Sequence, residues 1–145
     1  MIALLQRVTS ASVKIDQQIV AETGAGVLAL IGIEKGDEDS QAERLLSRIL
    51  GYRIFADEQG KMNLGLRDVQ GELLLVPQFT LAADTRSGMR PGFSTAAPPE
   101  AGRRQFEAFV DKAHLAYARV QQGVFGADMK VQLINDGPVT FWLSV

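Results

Sequence analysis

Residues 26–33, Gly-Val-Leu-Ala-Leu-Ile-Gly-Ile, form an apolar run bounded by turn residues, a pattern typical of a buried strand. Ahead of this run, apolar and polar residues alternate from Ile2 to Ile15, break at residues 16–18 and resume at Ile19. The alternation predicts a strand, a hairpin turn and a second strand. The first third of the chain is therefore predicted to form three strands of a sheet.

Two later segments have the spacing of amphipathic helices. The first begins with an N-cap at Asp39-Ser40, ends near Gly51 and places four apolar side chains on one face: Leu45, Leu46, Ile49 and Leu50. The second begins at Pro98-Pro99 and carries a stripe of five: Phe106, Phe109, Val110, Ala113 and Tyr117. We expect both helices to pack on one face of the sheet.

The remaining segments complete the predicted order of elements. We expect a short strand at residues 54–55, an irregular loop at 60–65, a strand at 73–81, a long loop at 84–99 and a closing pair of strands around a turn at 135–138. In 145 residues this order predicts one α/β domain, residues 1–145, in which mixed, largely antiparallel sheet layers carry two helices on one face.

Composition excludes several classes of function. The chain has no cysteine, which rules out disulfides and thiolate chemistry, and His114 is its only histidine, so no multi-histidine metal site is possible. Gly24 and Gly26 precede a strand, so this Gly-x-Gly is a turn and not a dinucleotide site. We expect no cofactor, no metal, no membrane segment and a cytoplasmic location.

Two features are candidates for a functional site. The apolar run from residue 73 reaches Pro77, which cannot donate to a sheet ladder, so the strand is an edge or breaks there and leaves the following amides free for a ligand. The alternative is a plain strand end with a hydroxyl in a turn. Gly137-Pro138 is the second feature, for which an ordinary trans turn and a cis bond are both open.

Five motifs, in order, resemble those of the bacterial D-aminoacyl-tRNA deacylase family from residue 1 to residue 145. They are residues 1–8 (Met-Ile-Ala-Leu-Leu-Gln-Arg-Val), 60–63 (Gly-Lys-Met-Asn), 78–85 (Gln-Phe-Thr-Leu-Ala-Ala-Asp-Thr), 88–91 (Gly-Met-Arg-Pro) and 135–142 (Asn-Asp-Gly-Pro-Val-Thr-Phe-Trp). The resemblance implies the fold of that family and hydrolysis of the ester that joins a D-amino acid to the 3′-terminal adenosine of tRNA.

The resemblance also implies roles for Gln78, Phe79 and Thr80. These residues line the family's ester pocket, where main-chain amides near Phe79 and Thr80 hold the oxyanion. Family members usually carry serine where this chain has Pro77, so no scheme that uses that hydroxyl applies here. Thr80 is then either a nucleophile or a residue that orients the site, and we favour the latter because the sequence offers no base to activate it.

A third implication concerns Gly137 and Pro138, which match a cis peptide that reaches into the pocket of the partner subunit of a homodimer. Two rigid carbonyls there bind the substrate amino group and leave no room for an L side chain. Glycine has no side chain to reject, so glycyl-tRNA is an expected substrate as well. Arg7 matches an arginine that holds this element in orientation; the alternative is a surface charge.

Other interpretations remain open. Thr80 could serve a threonine-nucleophile esterase or amidase, or the chain could be a non-catalytic module that binds RNA ends. A net charge of −2 predicts that any RNA is gripped locally, with Arg86, Arg90, Lys112 and Lys130 as candidate phosphate contacts or as ordinary solvated charges.

Overall fold

The computed structural model describes residues 1–145 and contains eight strands, two α-helices and one 3₁₀ helix. The strands are β1 (Ile2–Ile15), β2 (Gln18–Thr23), β3 (Gly26–Gly32), β4 (Phe55–Ala56), β5 (Met62–Leu64), β6 (Glu72–Pro77), β7 (Val120–Gln122) and β8 (Lys130–Ser144). The helices are α1 (Asp39–Gly51), the 3₁₀ helix Phe79–Ala82 and α2 (Pro99–Ala116). Neither α-helix is long and apolar enough to cross a membrane.

Strand β1 is the centre of a six-stranded mixed sheet. It pairs antiparallel with β2 and β3 along one edge and with β8 along the other, and β3 continues to β6 and β7 in parallel. Asp16 and Gln17 at the tip of the β1–β2 hairpin both have positive φ, as a two-residue turn of the I′ type requires. The mixed α/β class predicted from sequence is confirmed.

Both helices cover one face of this sheet. The larger core cluster contains apolar side chains of α1 and α2 together with those of β1, β3 and β6 that point toward them, including Leu45, Phe109 and Leu75. A smaller cluster on the opposite face contains only strand residues, among them Val13, Ala21 and Leu74. The hairpin end of β1 and β2 therefore covers the face that the helices leave open.

Four local predictions need correction. Helix α1 is capped by Glu38 rather than by Asp39 or Ser40, because the Glu38 amide bonds to the side chain of Gln41. The segment at residues 60–65 is not an irregular loop, since β5 pairs there with β4. The strand from residue 73 ends at Pro77 and not at residue 81.

The fourth correction concerns the closing strands. Residues 130–144 form one strand, β8, whose two halves both pair with β1 rather than with each other. The register places Val8 opposite Asn135 and Gln6 opposite Thr140, so four residues of β8 bulge out opposite Arg7 alone. The expected turn at 135–138 is thus a bulge within a strand.

The apolar stripe of α2 gives a direct test of the packing. Phe109 is fully buried and Leu115, on the same helix, is 90% exposed. We expect Phe109→Ala to lower the free energy of unfolding by about 3–5 kcal/mol because it leaves a cavity. The control Leu115→Ala should change it by less than about 0.5 kcal/mol. Urea denaturation measures both, and equal effects would contradict this packing.

Candidate functional site

The end of β6 places the first candidate element. Pro77 is the last residue of β6, which lies between β3 and β7, so the strand breaks there instead of forming a sheet edge. The Gln78 amide donates to the carbonyl of Ile31 at 2.7 Å, and the chain then turns into the 3₁₀ helix at Phe79. The 3₁₀ helix is thereby fixed at the carboxyl end of a central parallel strand.

Two consecutive amides begin this 3₁₀ helix. The first amides of any helix lack an acceptor within it, and here only the third is bonded, from Leu81 to the carbonyl of Gln78 at 3.2 Å. The amides of Phe79 and Thr80 have no acceptor among the turn, loop and cap hydrogen bonds of the chain. Because Phe79 and Thr80 are both exposed, these two donors are available to an oxygen of a ligand.

The Thr80 hydroxyl has one hydrogen-bond partner, the side-chain Nε2 of Gln78, which donates to Oγ1 at 2.5 Å. An amide is not a base, so this contact orients the hydroxyl without activating it as a nucleophile. The only histidine, His114, contacts Oε1 of Gln122 at 3.0 Å and does not line the cleft beside Thr80. No group of three or more His, Cys, Asp or Glu side chains converges in the structure to hold a metal ion.

A cleft of about 590 Å³ lies beside the 3₁₀ helix. Thr80, Leu81 and Asp84 form one side, and Ile2 and the half-exposed Trp142 lie on strands β1 and β8. Another cavity of similar volume lies between α1 and α2; Lys112 lines it, but no residue of either candidate element does. We therefore place the candidate site at the first cleft, which Thr80 lines; Gln78 and Phe79 precede Thr80 in the chain but do not line the cleft.

The second candidate element, Gly137-Pro138, lies in the bulge of β8. Their peptide bond is cis, and Gly137 has a φ of +133°, which side chains rarely allow. A Cβ atom built on Gly137 would lie 2.7 Å from Cγ2 of Val139 and 3.1 Å from the guanidinium of Arg7. Neither residue lines the cleft beside Thr80. The bulge lies opposite Arg7, which pairs near the start of β3, whereas the 3₁₀ helix lies against Gly32 at the end of β3, so a single chain does not bring the two elements together.

Arg7 is bound directly beneath this bulge. Its Nε donates to the carbonyl of Asp136 at 3.1 Å and lies 3.2 Å from the Asp136 carboxylate, while Nη1 donates to the carbonyl of Ile54 at 2.7 Å. The two contacts with Asp136 hold the residue that precedes Gly137. None of the hydrogen bonds made by side chains reaches the carbonyls of Gly137 or Pro138.

Sequence reasoning gave no role to several residues that hold these elements. Asn135 and Thr140 are hydrogen-bonded to each other across the bulge. Both lie close to Gly137-Pro138 in the sequence, so the positions of these two polar residues could have indicated that they hold the element. The ring of Phe93 lies 5.2 Å from that of Phe79, and Thr95 donates its hydroxyl to the carbonyl of Ala82. The contacts of Phe93 and Thr95 are made by the long loop, and no local sequence pattern predicts them.

Comparison with known proteins identifies the family. The family model described as D-Tyr-tRNA(Tyr) deacylase matches residues 4–144. A D-aminoacyl-tRNA deacylase of Thioalkalivibrio sulfidiphilus is 59% identical over 145 residues, covering 100% of this chain and 97% of the relative. One of Burkholderia cenocepacia is 55% identical over 150 residues, covering 100% and 99%. The chain belongs to this deacylase family.

Solved structures agree with this assignment of the deacylase fold. One titled "c-Myc DNA Unwinding Element Binding Protein" has a TM-score of 0.96 and 36% identity and covers 100% of this chain and 99% of its own. One titled as a probable eukaryotic D-amino acid tRNA deacylase has a TM-score of 0.85 at 15% identity, covering 99% and 98%, and supports the fold alone. The family resemblance read from the five motifs is confirmed.

Most basic residues proposed as phosphate contacts in this deacylase are already paired. Arg86 makes two bonds to the carboxylate of Asp84, at 2.9 and 2.7 Å. Lys112 lies 3.0 Å from Glu43, and Lys130 lies 2.9 Å from Asp128. Arg90 has no ion pair. Of the four candidates, Arg90 is therefore the one whose charge is not offset by a contacting carboxylate.

The Asp84–Arg86 pair predicts a measurable titration at the rim of the cleft. Hydrogen bonds from the Arg86 side chain, and then from its backbone amide, hold the pKa of Asp84 well below its ordinary value. A lowered pKa in the folded state means that the stabilising contribution is complete above the ordinary pKa and is lost as the pH falls through the lowered one. We expect carboxyl-carbon NMR to show this low pKa. Arg86→Met should raise the pKa of Asp84 only part of the way toward its ordinary value, because the backbone amide of residue 86 still donates to the carboxylate.

Arg90→Met in the same loop is the matched control and should leave the pKa of Asp84 low, since Arg90 does not contact that carboxylate. A pKa of Asp84 that is unchanged in Arg86→Met would show that the Arg86 side chain is not the main cause of its lowering.

Proposed function

We propose that this chain hydrolyses the ester bond of D-aminoacyl-tRNA and releases free tRNA and the D-amino acid. The observation that carries the proposal is the pair of adjacent amides, of Phe79 and Thr80, that begin the 3₁₀ helix beside an open cleft. Membership of the deacylase family over nearly the whole chain supplies the substrate class. Glycyl-tRNA is a further expected substrate, because glycine has no side chain to exclude.

In the proposed reaction the two amides bind the ester carbonyl oxygen and the negative charge that develops on it. Water adds to the carbonyl carbon, the ribose oxygen leaves with a proton, and the products are the free acid and tRNA. Each such fixed donor contributes about 2.7–4 kcal/mol to lowering the barrier of acyl transfer. Because the donors belong to the backbone, neither a serine at position 77 nor any other particular side chain is required there.

Thr80 supports the site in this scheme. Its hydroxyl is held by Gln78, and no base contacts it, so water rather than Thr80 is the nucleophile. We expect Thr80→Ala to lower kcat for a D-aminoacyl-tRNA by no more than about tenfold, the effect of one lost hydrogen bond. An assay of matched D- and L-aminoacyl-tRNA measures this. A loss of several orders of magnitude, with an acyl-enzyme trapped on the wild type, would make Thr80 the nucleophile.

The position of the amides depends on Gly32, which gives a second test. A Cβ atom at Gly32 would lie 2.9 Å from Cβ of Leu81, so the 3₁₀ helix must shift in Gly32→Ala. Displacement of catalytic groups by about 1 Å can cost on the order of 100-fold in rate. We expect a loss of about 10- to 100-fold in kcat for the D-ester. Gly51→Ala has open space around the added atom and should retain wild-type activity.

Chiral selection is proposed to come from a second subunit. Gly137 and Pro138 do not line the cleft of their own chain, and a homodimer in which each bulge enters the partner's cleft would complete both sites. Arg7 would then hold the bulge through Asp136. The carbonyls of Gly137 and Pro138 would bind the substrate amino group and leave no room for an L side chain.

Mixed dimers test this arrangement. One copy carries Gly32→Val, which displaces the 3₁₀ helix, and the other carries Gly137→Val, which crowds the bulge against Val139 and Arg7. We expect each variant alone to hydrolyse D-aminoacyl-tRNA poorly. Together they should recover activity, since one of the two sites in a mixed dimer has both intact elements. Mixed dimers as inactive as their parents would place both elements of a site in one chain.

A binding role without catalysis is less well supported. One solved relative is titled as a DNA unwinding element binding protein. This chain carries a net charge of −2, and three of its four candidate phosphate contacts are paired with carboxylates. Wild-type protein that binds aminoacyl-tRNA and hydrolyses neither enantiomer would favour the binding role instead.

A further inference from the structure

We propose that Asn135 and Thr140 are positioning residues that fix the Gly137-Pro138 bulge and that the discrimination between D and L substrates depends on them. This inference rests on the proposed function, because it concerns how the proposed chirality filter is held. It extends that function to two side chains that do not themselves touch the substrate.

Asn135 closes the bulge with both ends of its carboxamide. Its Oδ1 accepts from the backbone amide of Val139 at 2.9 Å, and its Nδ2 donates to Oγ1 of Thr140 at 2.9 Å. Asn135 and Thr140 are also the last residues of β8 that pair with β1 on either side of the bulge. The side chain of Asn135 thus spans the gap that the interrupted ladder leaves open.

The two sides of Gly137-Pro138 are held by different means. On the amino side, Arg7 binds the carbonyl and carboxylate of Asp136. On the carboxyl side, Val139 is buried in the larger core cluster and its amide is bound by Asn135. Removing the carboxamide would leave the carboxyl side fixed only by the packing of Val139 and by the pairing with β1 that resumes at Thr140.

The bulge needs such a brace because sheet pairing does not hold it. Residues 136–139 are out of register with β1, and Asp136, Gly137 and Pro138 are all exposed. A pair of carbonyls that rejects an L side chain by contact must be held to within about 0.5 Å. A looser bulge still binds the D-ester but admits the L-ester, so the effect falls on selectivity before it falls on turnover.

Asparagine is suited to this position by its one acceptor and one donor. Aspartate keeps the shape and the acceptor for the Val139 amide, and Thr140 can donate its hydroxyl to the second oxygen. Alanine loses both bonds. The pair of substitutions at one position therefore compares a side chain of the same shape that keeps both hydrogen bonds with one that loses both.

The test compares Asn135→Ala and Asn135→Asp for hydrolysis of matched D- and L-aminoacyl-tRNA. We expect Asn135→Ala to lower the ratio of kcat/KM for D over L by about tenfold, the scale of one lost hydrogen bond. Asn135→Asp should retain the wild-type ratio. Asn63→Ala is the matched control, since Asn63 also bonds within its own turn but contacts Asp57 and lies outside the bulge.

Thr140→Val and Thr140→Ser repeat the comparison from the other partner and replace it if Asn135→Ala does not fold. We expect Thr140→Val to lower the ratio and Thr140→Ser to keep it. An unchanged ratio in both Asn135→Ala and Thr140→Val, or equal losses in Asn135→Ala and Asn135→Asp, would overturn the inference while leaving the deacylase proposal intact.

Hydrogen exchange of the Val139 amide provides a readout that does not require activity. We expect exchange to be slow in the wild type and in Asn135→Asp and at least about tenfold faster in Asn135→Ala. Equal exchange rates of the Val139 amide in wild type and Asn135→Ala would show that Asn135 does not fix the bulge, whatever the activity of the variant. A wild type that hydrolyses no D-aminoacyl-tRNA would instead overturn the proposed function.

Discussion

The antiparallel pairing of β1 with β8 is the constraint on which the second candidate element depends. Val8 pairs with Asn135 and Gln6 with Thr140, which leaves Arg7 as the single residue opposite the four that bulge out. Since β1 also pairs with β3 along its other edge, Arg7 cannot shift along the strand to follow the bulge. A register slip of one residue would turn Arg7 to the other face of the sheet and release Asp136.

The first candidate element depends on the contact between β3 and the chain that leaves β6. Ile31 accepts the Gln78 amide, and Gly32 lets Leu81 approach the strand closely. The amides of Phe79 and Thr80 therefore take their positions from the backbone of the sheet. Proline at position 77 is compatible with this arrangement, because no side chain at that position takes part in placing the two amides.

Sequence patterns predicted most of the fold because most of its helices and strands bury one face in the core and expose the other to solvent. The alternation in β1 and β2 and the stripes of α1 and α2 follow directly from burial against one core. Strand β5 was missed because Met62–Leu64 is short and largely exposed, so no apolar period marks it. The closing strand was misread because Gly137-Pro138 looks like a turn, whereas only the pairing of both halves with β1 reveals a bulge.

The candidate site was less accessible to sequence reasoning for a physical reason. Main-chain amides carry the proposed chemistry, and nearly every residue type has one, so the sequence does not show which amides are used. Pro77 indicated only that the hydrogen-bonded ladder stops there. The braces around these amides and around the bulge come from distant parts of the chain, as with Arg7 and Ile54, which lie 47 residues apart. The resemblance to a known family named Gln78, Phe79, Thr80, Gly137 and Pro138, and the structure then gave their local geometry.

The ion pairs made by the candidate basic residues affect how a chain with a net charge of −2 can bind tRNA. Three of the four candidate cations already contact carboxylates, and a phosphate would have to compete with those contacts. A ligand held by one or two cations releases few counterions, so its binding depends only weakly on salt. Under the proposed function, the cleft itself would then contribute to recognition through the ring of Trp142 and the amides of the 3₁₀ helix. Under that proposal, such a site would contact the end of the acceptor strand rather than the body of the tRNA.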